Sequence, residues 1–195
     1  MRIRHFARAT LLAGIALAAV GAANADVFMK VDGAPGDTNA RGFEGQILLN
    51  GATMNVSNVV LPDPDGGASV THQLSVGSMF LTKTPDRSSP KLMMAAVQGK
   101  PLGSVEITFT APARPGQPQT VDSKWILEGA EVRSFNANPD VNVVGGQAET
   151  IELSFTSMRY QYFAKDAKGQ RTGSMEEVKF MVPADQVFPG DSDCR

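Results

Sequence analysis

Two histidines, His5 and His72, are all the imidazole in these 195 residues, and imidazole is the usual general base near neutral pH. His72 lies in "SVTHQLSVGSMFLT", residues 69–82, in phase with Val70, Leu74, Val76 and Phe80. That alternation belongs to a strand, so His72 is expected to be packed or hydrogen-bonded rather than reactive. A serine nucleophile would need a strand-to-helix elbow of the form G-x-S-x-G, which the sequence lacks. Zinc needs several converging His, Cys, Asp or Glu side chains, and one histidine with Cys194 does not supply them. "DPDGG", residues 63–67, matches only the opening of a calcium loop, without the later oxygen ligands or the closing glutamate. Glu176 and Glu177 are neighbours, so in a strand they point to opposite faces and cannot work as a facing carboxylate pair. No phosphate-cradling glycine motif occurs, "VVGGQ" being only a fragment of one, and Trp125 alternates in a strand as core aromatics do. The chain is therefore expected to have no catalytic, cofactor-binding or metal-ligating residues and not to be an enzyme.

The elements that would carry any site begin after a leader. Arg2, Arg4 and Arg8 stand without an acid, and "ATLLAGIALAAVGA", residues 9–22, is apolar but shorter than the roughly 20 residues of a membrane span. "ANA", residues 23–25, offers the small residues of a signal-peptidase site. Residues 1–25 read as a cleaved signal peptide and 26–195 as a single domain starting at Asp26, secreted or periplasmic. Removing the three arginines from 18 basic side chains leaves 15 against 20 acidic ones, near −5. That balance disfavours nucleic acid and stable membrane insertion, since both reward basic surfaces. A lone Cys194 cannot close an internal disulfide; it is either idle or able to link two copies.

Strand signals fill the rest. "DVFMKVDG" and "EGQILLNG" flank the turn-rich "APGDTNARG", and "LPDPDGG" reads as a projecting loop. In "SVEITFTA", residues 104–111, Val105, Ile107, Phe109 and Ala111 face in, with Glu106, Thr108 and Thr110 facing out. The apolar set changes parity in "DSKWILEGAEVRSF", from Trp125 and Leu127 to Ala130 and Val132, which predicts a one-residue bulge at Gly129. "TIELSFTSMRYQYF" repeats the device, passing from Ile151, Leu153 and Phe155 to Met158, Tyr160 and Tyr162. "SMEEVKFMV" adds a last strand with Val178, Phe180 and Val182 in phase.

One helix interrupts this pattern. In "SSPKLMMAAVQGK", residues 88–100, Ser88 or Ser89 can cap the start, Pro90 suits the first turn, and Gly99 can take the left-handed stop. Leu92, Met93, Ala96 and Val97 are expected to form its buried face. The fold expected is mainly β: a small antiparallel barrel or two packed sheets with one flanking short α-helix.

Residues 80–109, "FLTKTPDRSSPKLMMAAVQGKPLGSVEITF", closely resemble the haemolysin-coregulated protein (Hcp) family, tube subunits of the type VI secretion system. Phe80, Thr82, Lys83, Asp86, Arg87, Ser89, Pro90, Leu92, Met93, Ala95 and Gly99 match the family pattern, with Leu81 as an extra residue. Asp37 and Thr38 stand where the family has Glu-Ser. The resemblance implies a small barrel braced by its helix, six-membered rings stacking into a hollow tube, effector cargo in the lumen, and no catalytic residues. It also makes the loop after the second strand a ring-stacking contact, with Val59, Val60 and Leu61 as its apolar part. The cleavable leader departs from the family, whose subunits leave through the contractile machine. The alternative reading is a monomeric periplasmic binding or adaptor module that reuses the fold.

Overall fold

The computed structural model describes residues 25–62, 70–112, 119–138, 147–167 and 169–183. The expected signal peptide up to residue 24, the 63–67 turn and Cys194 lie outside these residues. Among the described residues the chain is mainly antiparallel β with one short helix, as the alternation predicted.

β1 (Val27–Val31) lies between β2 (Ile47–Leu49) and β7 (Gly103–Thr110). Beyond β7 comes β8 (Val121–Asn138), an 18-residue strand long enough to serve two partners on its other edge. Its first half pairs with β10 (Ser157–Lys165) and its second with β9 (Ala148–Ser154). β9 then pairs with β6 (Met79–Lys83), β6 with β3 (Gly51–Thr53), and β11 (Arg171–Met181) hangs on β10. β4 (Val56–Pro62) and β5 (Val70–Val76) form a separate two-stranded ribbon.

The expected barrel is corrected to the two-sheet form of that expectation, because the ladder does not close by strand pairing. Its ends, β2 and β3, are successive pieces of one run parted by Asn50. β2 bonds to β1 and β3 bonds to β6; at the switch the Asn50 N–H donates to the Thr82 carbonyl at 2.7 Å. One backbone edge cannot follow two diverging neighbours, so the run changes partner instead.

The first parity change is the predicted bulge; the second is a break between two strands, β9 ending at Ser154 and β10 starting at Ser157 against another part of β8, and Tyr162, expected inside, is exposed. Against β7, Leu127 and Ala130 oppose Val105 and Gly103, so β8 carries one residue more than its partner across Gly129, which has φ +60°. Leu127, Ala130, Val132, Ile151, Leu153, Phe155 and Met158 all reach one buried core. The run 69–82 is likewise two strands: it breaks at Gly77 and Ser78, after which Met79 and Leu81 point in and Phe80 points out. Thr108 and Thr110, expected outside, are buried. Thr108 lies opposite Phe28, whose ring stacks on Phe43 at 4.2 Å, so the loop before β2 covers that outer face. Thr110 exchanges hydrogen bonds with the Asp26 backbone.

α1 (Ser89–Gln98) stops as predicted: Gly99 takes φ +58°, and Lys100 N–H donates to the Ala95 carbonyl at 3.1 Å. Its start differs. Ser88 makes no side-chain cap to the helix; its N–H and hydroxyl both donate to the Asp86 carboxylate. The buried face also differs, being Ser89, Leu92 and Ala95 with Ala96 partly covered, while Met93, Met94 and Val97 are exposed. The line follows Ser89 because that hydroxyl is held inside by polar partners.

Candidate functional site

Parity puts Lys83 on the inward side of β6 with Met79 and Leu81, and Glu149 on the inward side of β9 with Ile151 and Leu153; the register sets the two opposite each other. Lys83 is fully buried, and its Nζ donates to Glu149 Oε2 at 2.6 Å, Ser89 Oγ at 2.8 Å and the Thr84 carbonyl at 2.9 Å, with Asp86 Oδ1 at 2.9 Å. Ser89 Oγ donates to Glu149 at 2.7 Å and accepts the Asp86 N–H at 3.0 Å. Every polar atom named has a partner, as burial requires. The cluster is thus a clamp that fixes the start of α1 on the β6–β9 pair. Lys83, Asp86 and Ser89 belong to the recognised sequence pattern; Glu149 was missed, although an acid in phase with Ile151 and Leu153 was the signal for it.

A second tie joins the loop before β2 to the same turn. Arg87 N–H donates to Asp37 Oδ2 at 3.1 Å and its Nε to Asp37 Oδ1. These bonds hold the Asp37 carboxyl below the usual aspartate range. Glu44, which accepts the Gly42 N–H on both oxygens at 3.0 Å, is lowered by that bond.

The β4–β5 ribbon flanks the expected projecting loop, whose residues 63–67 lie outside the described residues. Its two seven-residue strands contain no Asp, Glu, Lys or Arg. Alternation and register place Val56, Asn58, Val60, Pro62, Val70, His72, Leu74 and Val76 on one face. Ser57, Val59, Leu61, Gln73 and Ser75 share the other. The three predicted stacking residues are all exposed, but they do not make one patch: Val60 faces away from Val59 and Leu61. Val76 is buried and Leu74 packs on the core, so the first face is anchored at its base and free toward Val60, His72 and Val70. His72 is exposed, and its Nδ1 lies 3.1 Å from Asn58 Nδ2, which fits the expected hydrogen-bonded role.

Below the ribbon an open apolar hollow of about 500 Å³ is lined by Val56, Trp125, Met158, Tyr160, Val178 and Phe180, among others. Trp125 is therefore only partly covered, its ring meeting Phe109 edge-on at 4.7 Å. Glu176 and Glu177 lie on β11, which among the described residues pairs with β10 alone and is exposed along almost its whole length. Among the described residues no three His, Cys, Asp or Glu converge as metal ligands, and no helix is long and apolar enough to cross a membrane.

The family described as "Type VI secretion system effector, Hcp" matches residues 28–162. No curated protein sequence matches the chain. Among solved structures, one described as a type six secretion system protein superposes with a TM-score of 0.72 at 19% identity, covering 80% of this chain and 95% of that one. Hcp1 from Salmonella typhimurium gives 0.63 at 20%, covering 80% and 94%. A type VI secretion system effector from Yersinia pestis gives 0.61 at 18%, covering 80% and 100%. At these identities the likeness is one of fold.

Proposed function

We propose, from the premise that this chain belongs to the Hcp family of type VI secretion proteins, that its exported form builds a six-membered ring and stacks it through the β4–β5 ribbon. The family is one of secreted, structural tube proteins. On this reading the leader at residues 1–25 is removed, the domain from Asp26 assembles outside the cytoplasm, and effectors travel in the ring lumen.

The observation that carries the stacking role is the ribbon itself. Two strands alone are marginal in water. This pair stands apart from the nine-stranded sheet, is free of charged Asp, Glu, Lys and Arg, and exposes Val56, Val59, Val60, Leu61 and Val70. Apolar surface of that kind on a protruding element favours burial against another copy. The free edge of β11, with Met175, Val178 and Met181 exposed, gives a second surface for lateral contact.

Sedimentation and light scattering of the purified protein test the reading. The expected mass is that of a multi-subunit ring, with Val60→Asp weakening association of rings. A strict monomer at tens of micromolar would overturn it and favour the periplasmic adaptor.

A further inference from the structure

We propose that the Ala25–Asp26 bond can be cut only before β1 enters its sheet, so that removal of the leader precedes folding of the domain and the chain leaves the cytoplasm unfolded. The proposal rests on the reading of residues 1–25 as a removed leader and adds to it an order of events. Ala23 and Ala25 are the small residues that mark the bond in the sequence. Ala25 is exposed, but on its carboxyl side the hydrogen-bonded structure begins at the next residue. The Asp26 N–H donates to Thr110 Oγ1 at 3.0 Å, and the Asp26 carbonyl accepts the Thr110 hydroxyl at 2.9 Å and the Thr110 N–H at 3.0 Å. Gln119 Nε2 donates to the Asp26 carboxylate. Val27 then pairs on both sides, with Leu49 of β2 and Phe109 of β7, and Phe28 is buried against the Phe43 ring.

A processing protease takes its substrate as an extended segment and pairs the backbone around the scissile bond with its own strands. Here those backbone groups are already committed: the nitrogen that must leave is the one held by Thr110, itself 4% exposed. Fraying from a chain end is ordinarily the cheapest opening of a fold. In this protein it is halted at once, because β1 lies between β2 and β7 rather than at an edge of the sheet. No spacer separates the bond from the sheet. Hydrolysis adds the oxygen of water to the Ala25 carbonyl carbon and both of its protons to the Asp26 nitrogen; the C–N bond breaks, leaving a carboxylate and an α-ammonium. Once the domain closes, this nitrogen keeps Thr110 Oγ1 as acceptor, with the Asp26 carboxylate on the same residue to offset its charge. The sheet thus accepts the product end and shields the uncut bond. Because a ring needs folded subunits, assembly is confined to the side of the membrane on which the leader is lost.

The test gives purified bacterial signal peptidase the full chain in two states: diluted from urea directly into the enzyme, and refolded beforehand, with circular dichroism to follow the fold. Mass spectrometry reads the product that starts at Asp26. The refolded chain should be cut at least about tenfold more slowly than the freshly diluted one, since cleavage follows the population of the open form. A variant with about five Ser and Gly residues inserted between Ala25 and Asp26 moves the bond roughly 15 Å from the sheet, and its refolded form should be cut as fast as its unfolded form. A full chain that gains no fold until the leader is removed would support the same order. Equal cutting of refolded and unfolded wild type, or an insertion variant protected by refolding as strongly as wild type, would overturn the proposal and leave the removed leader standing. If no form is cut at this bond, the leader reading fails and the proposal with it.

Discussion

Glu149 Oε2 lies 2.6 Å from Lys83 Nζ across the β9–β6 pair, with the lysine wholly inside the protein. Two charges so placed are a weak source of stability as a pair, since each gave up its hydration, but a strong liability when parted. Glu149→Gln or Lys83→Met is expected to destabilise the fold by about 3–5 kcal/mol, read from urea unfolding. The double variant Lys83→Met with Glu149→Leu should cost far less than the two single changes together. Additive losses would mean that the ion pair is not the unit that fixes α1.

The exposed tie between Asp37 and Arg87 should be read by titration rather than by stability. Hydrogen bonds from Arg87 lower the Asp37 pKa in the folded chain. A depressed carboxylate contributes stability that is present above the unfolded aspartate range, near roughly 3.9, and is lost as pH falls through the lower folded value. Followed by carboxyl NMR, Asp37 should titrate below ordinary aspartates in the wild type and move up to join them in Arg87→Ala. An unchanged Asp37 would show that another group holds it.

The legible parts of the fold were those in which one local rule acts alone. Gly129 sits between two apolar parities, so the bulge could be placed from spacing. Gly99 needed only the left-handed stop of a helix. What spacing missed was decided by partners distant in sequence. The helix turned Ser89, not Met93, toward the core because Lys83 and Glu149 wait there. Residues 69–82 looked like one strand because Gly77 and Ser78 interrupt an alternation that resumes in the opposite phase. Val59, Val60 and Leu61 looked like one patch because adjacency in sequence is not adjacency on a pleated ribbon. The missing barrel closure depends on Asn50 leaving one neighbour for another, which no local pattern encodes.

Gly129 and Thr156 interlock at the point where β8 changes partner. A Cβ at Gly129 would lie 2.6 Å from Thr156 Oγ1, and the backbone there has φ +60°. Thr156 Oγ1 donates to the Glu128 carbonyl at 3.0 Å, and its N–H donates to the same oxygen at 2.9 Å, so it cannot easily withdraw. Gly129→Ala should cost about 1–2 kcal/mol for the left-handed backbone, plus the clash. Adding Thr156→Ala removes the obstructing hydroxyl, so in a double-mutant cycle the pair should lose less than the sum of the single variants. A strictly additive cycle would place the whole cost in the backbone.

The two sides of α1 predict opposite tolerances. Leu92 is fully buried in the core cluster, so Leu92→Ala should cost about 2–5 kcal/mol through lost burial and a residual cavity. Met93, Met94 and Val97 are exposed, Val97 at 76%, and lysine in their place keeps good helix propensity. Each of Met93→Lys, Met94→Lys and Val97→Lys should leave stability within about 0.5 kcal/mol of wild type, measured by thermal unfolding. This contrast separates the structure from the spacing-based expectation, under which Met93 and Val97 would be core residues and a charge at either would unfold the helix from its sheet. A large loss at Val97→Lys would return the buried face to Met93, Ala96 and Val97. It would also remove Ser89 from the inward line that the lysine clamp requires.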